Sequence, residues 1–290
     1  MLASIDRLTP WRPAFWLVML IGLVVVLPGL APQDPMDSAA IELADAFTPP
    51  SWTAAFPFGS DEQGRDILSL LLHGLSLSLG IAALSVGLSL LIGVPLGLIA
   101  GWRKGALDSL ITRLADIQLT FPAVLLAMLI DGVLRIVLPA AQSGPLAIAV
   151  LVVAIGLANW VAFARVVRGS TRVEMAKTYV LAARSLGTGR GGILFRHVLP
   201  NIAGPVIVLG TITLGTAIMT EATLSFLGIG LPPTQPSLGA LIARGQNFLF
   251  SGEWWIAVLP GVTLALLIGL ANLAGDRLHR QLRGGAGSGV

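Results

Sequence analysis

Only 11% of the 290 residues are charged and 55% are hydrophobic, with a mean hydropathy of +0.86. A soluble domain carries about 25% charged residues and a disordered chain combines low hydrophobicity with high charge, so both are excluded and an integral membrane protein remains. The absence of cysteine removes disulfides, thiolate catalysis and cysteine metal sites, while a net charge of +3 and a pI near 10.2 read as basic loops facing the cytoplasm rather than as nucleic-acid binding.

Six stretches have the roughly 20 apolar residues that cross a bilayer as a helix. They run over 14–31, 75–100, about 114–138, 145–164, 202–228 and 254–275. Backbone groups in lipid must be satisfied within each segment, and these runs are too long and continuous for barrel strands. Span three carries Asp116, Asp131 and Arg135, and span five carries Glu221. Fifteen of the 18 Lys and Arg residues fall in the N-terminus, the 2–3 loop, the 4–5 loop and the C-terminus; Arg65, Arg135 and Arg244 fall opposite. Both termini are therefore expected in the cytoplasm. The first span has features of a secretory signal, but its apolar core is long and no A-x-A-like site follows. It reads as an uncleaved helix.

The expected organisation is a cytoplasmic N-terminus over 1–13, a first transmembrane helix over 14–31, and an external segment with the helix leading into the core over 32–74. A five-helix core follows over 75–278, and a cytoplasmic tail over 279–290. The external segment is acidic, with Asp34, Asp37, Glu42, Asp45, Asp61, Glu62 and Asp66. Pro49, Pro50, Trp52, Phe56 and Phe58 suggest an extended stretch on the outer interface. Phe58–Asp61 reads as a turn, with Ser60 or Asp61 capping a helix that starts near Glu62. The 4–5 loop, 165–201, reads as a helix, a glycine-rich turn at Gly187, Gly189, Gly191 and Gly192, and a short amphipathic helix over 193–198 before Pro200. It looks built to meet a partner. Trp254 and Trp255 fit an aromatic belt at the start of span six.

No P-loop string G-x-x-x-x-G-K-[ST] occurs, so the chain is not expected to bind ATP. A serine hydrolase needs a base within hydrogen-bond reach; there is no G-x-S-x-G, and His73, His197 and His279 lie outside the spans. Glu221 is costly in lipid and therefore a functional candidate, either as a proton carrier or substrate contact, or as an acid bonded to backbone or to Thr220 or Thr223. Asp116 pairs most simply with Arg113, and Asp131 with Arg135 four residues on. Asn159 and Asn272 suit helix–helix hydrogen bonding as well as a pathway. Trp160 suits packing.

Tyr179-Val-Leu-Ala-Ala-Arg-Ser-Leu-Gly187 followed by Ile193-Leu-Phe-Arg-His-Val-Leu-Pro-Asn201 resembles the EAA loop of bacterial ABC importer permeases. Gly59-Ser-Asp-Glu-Gln-Gly-Arg-Asp66 is similar to the G-T-D-x-x-G-R-D signature of the dipeptide/oligopeptide/nickel permeases of the second-subunit type. Asp116–Pro122, Glu221–Gly230 with Pro232, Pro233, Pro236, Ser237 and Gly239, and Trp254, Trp255, Pro260, Gly261 and Asn272–Asp276 extend the likeness over 59–278. Leu181 stands where the loop's name-giving glutamate would be. Two arginines usual after G-R-D are missing around Ser69-Leu70 and Gly74-Leu75-Ser76. The 2–3 loop is short, and the C-terminus departs from the L-R-D-x-L-D-P pattern.

The resemblance implies an all-α integral membrane protein with six transmembrane helices, the type I ABC importer permease fold and cytoplasmic termini, in a bacterial inner membrane. It implies a second permease subunit, two ATPase subunits or domains carrying ATP and Mg, and an external substrate-binding protein that the acidic segment would help to dock. The chain itself would be no enzyme and hold no cofactor or metal. Ala182, Ala183, Arg184, Gly187, Arg196, His197, Leu199 and Pro200 would form the ATPase-coupling loop. Peptides are the expected substrate, with nickel or metal chelates or another small solute as the alternative. A proton-coupled carrier using Glu221 and a membrane scaffold are the rival classes.

Overall fold

The computed structural model describes residues 22–35, 37, 42–51, 56–103, 105–138, 144–232 and 234–284. They are mostly helical; among them extended backbone pairs only in an isolated bridge between Ser60 and Asp66. The helices used below are α1 (Ile67–Trp102), α2 (Ala106–Leu119), α3 (Ala123–Val137), α4 (Gly144–Met175), α5 (Thr178–Ser185), α6 (Leu199–Phe226), α7 (Leu238–Gly245) and α8 (Trp255–Gly284). Among the described residues α1, α4, α6 with its lead-in from Ile193, and α8 are long and apolar enough to cross a bilayer. The pair α2–α3 makes a fifth if it is one span. Of the first expected span, 22–29 are helical; the rest of it, the N-terminal 1–13, and 285–290 of the tail lie outside the described residues.

Three expectations change. The third span is not one rod: α2 and α3 meet at a 96° bend. Pro122 explains the break, because a proline pushes the residue before it out of helical conformation and has no N–H to give. Second, α4 continues to Met175, well past the apolar run that ends at Ala164. Its polar extension is held by ion pairs: Arg165 to Asp116, and Arg168 and Arg172 to Asp108, Arg168 at 2.6 Å. Asp116 therefore meets Arg165, not Arg113. Third, no separate helix ends before Pro200. The 190–198 stretch runs straight into α6, with a π-helical turn over Ile193–Val198. Pro200 lacks the N–H that an α-ladder needs and its ring crowds the carbonyl four residues back, so the ladder widens just ahead of it.

The chain forms two compact units. One comprises Met1–Ala83, Val133–Leu151 and Ile218–Leu270. Here the G-S-D-E-Q-G-R-D stretch is a self-contained turn. One Asp61 carboxylate oxygen accepts the backbone N–H groups of Gln63 and Arg65, each at 2.9 Å, and the other takes the Arg65 Nε at 2.7 Å. Asp61 is thereby a turn former and not a cap. The cap is Asp66, which accepts Ser69 N at 2.8 Å, so α1 starts at Ile67 rather than near Glu62. Both acids are buried and do not belong to an acidic docking surface. Gly59 has a φ of +81°, and a Cβ there would stand 2.7 Å from the Thr48 carbonyl and 2.8 Å from the Trp255 indole nitrogen. Trp255 donates to Ser60 O at 3.0 Å and is buried; Trp254 is half exposed. The expected aromatic belt is thus split, with one ring spent inside the protein.

Two family departures are also explained in this unit. Ser69 donates to Asp66 at 2.6 Å and accepts the Gln33 N–H at 3.1 Å. Ser76 donates to Val24 O at 2.5 Å. A Cβ on Gly74 would press within 3.4 Å of Pro236 O and Leu238 N. Small residues fill these positions, and a side chain at Gly74 would be tight against α7 and its lead-in.

The other unit comprises Leu84–Gly132, Val152–Ala217 and Ala271–Val290. Its seam is a glycine ladder. Cβ atoms on Gly93, Gly97 and Gly101 would stand 2.5, 2.6 and 2.7 Å from atoms of Trp160, Ala164 and Thr171 on α4. Helices without side chains at the contact approach closely, and backbone packing replaces the hydrophobic drive that lipid does not supply. Ser89 adds a bond to Gly156 O at 2.9 Å. Trp160 donates to Gln118 at 2.7 Å, and Gln118 donates to Leu157 O at 2.8 Å, tying the end of α2 to α4.

Candidate functional site

The region 165–201 is where the sequence places its partner-facing chemistry, and all of it lies in the second unit. The backbone turns at Ala176 and Lys177, then forms α5. Gly187 ends α5 with a φ of +80°. Thr188 N donates to Ala183 O at 3.0 Å and Gly187 N to Arg184 O at 3.1 Å. This is the paired bonding of a Schellman cap, which requires a left-handed residue after the helix. A Cβ on Gly187 would meet nothing within 4 Å. Within this chain its glycine is therefore required by conformation and not by crowding.

One face of the loop is seated. Val180, Ile193, Leu194, Val198 and Ile202 are buried against Leu98 of α1 and Val167 of α4, with Met175 and Leu199 alongside. Val180 is the residue of α5 buried in this layer, and burying one such side chain contributes about 1.5–3 kcal/mol, enough to seat α5 on the spans without fixing its rotation. The other face is open. Leu181, Leu186 and Phe195 are exposed by 52%, 85% and 67%. Ala182, Arg184, Arg196 and Pro200 are exposed beside them, with Ala183, His197 and Leu199 half-buried. The position that carries glutamate in the EAA pattern is here an open leucine.

A polar chain, missed from sequence, borders the seated face. Lys177 Nζ pairs with Glu174 Oε2 at 2.7 Å, and Tyr179 donates its hydroxyl proton to Glu174 Oε1 at 2.6 Å. Asn201 Nδ2 donates to the Tyr179 hydroxyl at 3.1 Å and to His197 O at 2.6 Å. Glu174 is buried and Tyr179 is half exposed. Burial and the Glu174 bond raise the Tyr179 phenol above its ordinary range, against a smaller lowering by the Asn201 donor. The i,i+5 spacing of Glu174 and Tyr179 across a two-residue turn is invisible to helical periodicity. A groove of about 450 Å³ lies beside this chain, lined by Arg165, Gly169, Val173, Glu174, Asn201 and Pro205 among others.

None of the three polar candidates within spans is a member of the loop's apolar layer. Glu221 is fully buried in the first unit; its Oε1 accepts from Ser225 Oγ at 2.7 Å, while its Oε2 has no hydrogen-bond partner among the described residues, with Ser78 and Ser237 nearby. Ser237 caps α7 by accepting Ala240 N at 3.2 Å, and Ser78 accepts Leu238 N at 3.2 Å. The start of α7 is thus held to α1 by Ser78, beside Glu221. Thr223, one of its expected partners, donates to Met219 O instead. Asn159 donates to Ile155 O within its own helix at 2.9 Å. Asn272 lies over Gly215, where a Cβ would be 2.8 Å from its Oδ1. Arg135 donates to Gly230 O. Among the described residues no group of three His, Asp or Glu residues is placed to hold a metal.

These features define a class: an all-helical membrane protein whose spans carry a seated, glycine-capped helix with an open apolar face. Residues 93–284 match the family described as binding-protein-dependent transport system inner membrane component. The chain belongs to that family and is a permease subunit of a binding-protein-dependent ABC importer. It is 37% identical over 271 residues to the di/tripeptide transport system permease protein DppC of Pseudomonas aeruginosa, covering 92% of this chain and 85% of the relative. It is 33% identical to the dipeptide transport system permease protein DppC of Haemophilus influenzae, covering 91% and 87%. It is 36% identical to the glutathione transport system permease protein GsiD of Pectobacterium atrosepticum, covering 79% and 73%. Its fold is like that of a chain in the inward-facing MetNI methionine ABC transporter. The TM-score is 0.57 at 24% identity, covering 73% of this chain and 95% of that chain. Family membership decides between the rival classes: the chain is an importer component, not a proton-driven carrier or a scaffold.

Proposed function

We propose that the chain forms one half of an inner-membrane pathway for short peptides, opened and closed by ATP hydrolysis on partner subunits. The observation that carries the coupling part is the seated α5 with its open face. A helix seated on one side by an apolar layer and bare on the other is suited to receive a push and pass it on. One of two ATPase subunits or domains holding ATP and Mg would dock there, with Leu181, Leu186 and Phe195 filling an apolar cleft and Arg184 and Arg196 meeting acids at its rim; the other would dock on the second permease subunit. A second permease subunit would complete the pathway, and an external binding protein would deliver substrate. Six spans with both termini in the cytoplasm put 165–201 on the ATPase side, in keeping with the basic count.

Peptide as substrate rests on the printed functions of the relatives, which transport di- and tripeptides or glutathione. Nickel or another small solute is the alternative within the same class. The test is uptake by the complete transporter in proteoliposomes. Peptide import that requires ATP and the binding protein, and stops with vanadate, is expected. Import of nickel but of no peptide would overturn the substrate, and import driven by a proton gradient without ATP would overturn the mechanism.

A further inference from the structure

We infer that the Tyr179 hydroxyl is the positioning group through which motion of α5 reaches α6; this rests on the reading of 165–201 as the coupling loop. The covalent routes out of α5 are unequal. Toward α4 the link is the short hydrogen-bonded turn Ala176–Lys177, with Lys177 N bonded to Glu174 O at 3.1 Å. Toward α6 it is Leu186–Gly189, which contains the left-handed Gly187; it is hydrogen-bonded back onto α5, and an added Cβ at Gly187 or Gly189 would meet nothing within 4 Å. The Schellman bonds tie Gly187 and Thr188 back to α5 itself and not to α6, and the glycines beyond, at 189, 191 and 192, leave the backbone conformationally permissive. The push must then cross through space.

Two contacts cross. One is the apolar layer of Val180 on Ile193, Leu194, Val198 and Ile202, which is non-directional and permits sliding. The other is directional. Among the described residues the side-chain hydrogen bonds from α5 to 193–201 run through Tyr179, the only tyrosine in the chain. Its single hydroxyl proton goes to Glu174 at 2.6 Å, with His197 O a longer second acceptor at 3.4 Å, and its oxygen accepts from Asn201. Asn201 spends its other amide proton on His197 O at 2.6 Å, at the π-turn where the ladder of α6 is widened. The relay therefore joins the end of α4, the first turn of α5 and the first turn of α6 at one oxygen. Each member is oriented by the next, so α5 cannot rotate on its apolar bed without breaking a bond to one span or the other.

The test uses the complete transporter in proteoliposomes and reads ATP hydrolysed per substrate imported, with ATPase co-purification as the measure of assembly. Tyr179→Phe keeps the ring and removes the oxygen; import per ATP is expected to fall about tenfold, the worth of a hydrogen bond to a charged group. Asn201→Leu should do the same. The double variant should be no worse than either single one, because both cut the same relay. Glu174→Gln still accepts the hydroxyl proton and should retain coupling, whereas Glu174→Ala should lose it. A purely structural role would predict additive losses and impaired assembly, and would not separate Gln from Ala. If Tyr179→Phe fails to assemble, the Asn201→Leu and Glu174 pair decide alone. Coupling within twofold of wild type in assembled Tyr179→Phe, or in assembled Asn201→Leu and Glu174→Ala, overturns the relay. Ala183→Trp separates the two levels. If it leaves coupling intact, the loop reading itself fails; if it uncouples while the relay variants do not, only the relay fails.

Discussion

Tyr179 is the residue at which environment changes chemistry in a way that can be read directly. Burial and the bond to Glu174 hold its proton more tightly than water does. Lys177, paired to Glu174, and His197, whose ring lies 6.3 Å away, are the other titratable groups around it. An acid whose folded value is raised contributes stability that is complete below its ordinary value, about 10 for a phenol. That contribution is lost as pH rises through the raised value. The seated loop should thus be indifferent to this group through neutral pH and loosen only in strong alkali. Because the chain has one tyrosine, tyrosinate absorbance of the purified protein reports a single site. Its titration should lie above that of free tyrosine, return to the free value on unfolding, and move in Glu174→Ala. An unshifted titration in the folded chain would contradict the hydrogen-bonded geometry. Glu221 shows the opposite use of a buried polar group. Its one hydrogen-bonded partner is Ser225, on its own helix α6, and its Oε2 is buried without a partner among the described residues.

At the scale of elements, the glycines of α1 separate into two kinds. Gly93, Gly97 and Gly101 face α4 with no space for a methyl group, whereas a Cβ on Gly87 meets nothing within 4 Å. Alanine is the better helix former by about 1 kcal/mol, so Gly87→Ala should leave the chain unchanged or raise its melting temperature in detergent. Gly97→Ala must displace the Ala164 carbonyl and Val167, and overpacking of this kind costs about 1–3 kcal/mol; its melting temperature should fall. Equal effects at the two positions would mean that the α1–α4 seam is not closely packed. The spacing Gly93-x3-Gly97-x3-Gly101 was legible in the sequence, and it is the signal that would have found the seam supporting the coupling loop. The apolar runs were legible too, since length and hydropathy alone decide them. Less legible was where helices end. α4 outlasts its apolar run because Arg165, Arg168 and Arg172 find Asp116 and Asp108 on α2, a contact between residues at least 49 positions apart. α1 starts late because Asp61 is taken by Arg65 and the cap falls to Asp66. The loop's motif named Tyr179 and Asn201 as pattern members; only the fold brings their side chains together.

For the whole molecule the open question is whether the bent pair α2–α3 crosses the membrane, and charge placement gives an expectation that can be tested. Suppose the N-terminus is inside and the first apolar stretch and α1 each cross. The chain then enters α2 on the inside. If α2–α3 does not cross, α4 carries the chain outward, and Lys177, Arg184, Arg190 and Arg196 all lie outside, against the positive-inside tendency. If it crosses, those residues lie inside, 229–253 lies outside, and α8 returns the C-terminus to the inside. The 15 residues of α3 reach about 22 Å at 1.5 Å per residue, short of a 30 Å hydrocarbon core. The crossing thus also needs the residues flanking α3. The cysteine-free sequence makes the question direct, since any introduced cysteine is the only one in this chain. Leu186 and Phe250 are almost wholly exposed. In intact spheroplasts a membrane-impermeant maleimide should label Phe250→Cys, and should reach Leu186→Cys, Ser4→Cys and Ser288→Cys only after lysis. Labelling of Leu186→Cys from outside would show α2–α3 to be re-entrant, removing the loop from any cytoplasmic ATPase and with it the coupling role of α5.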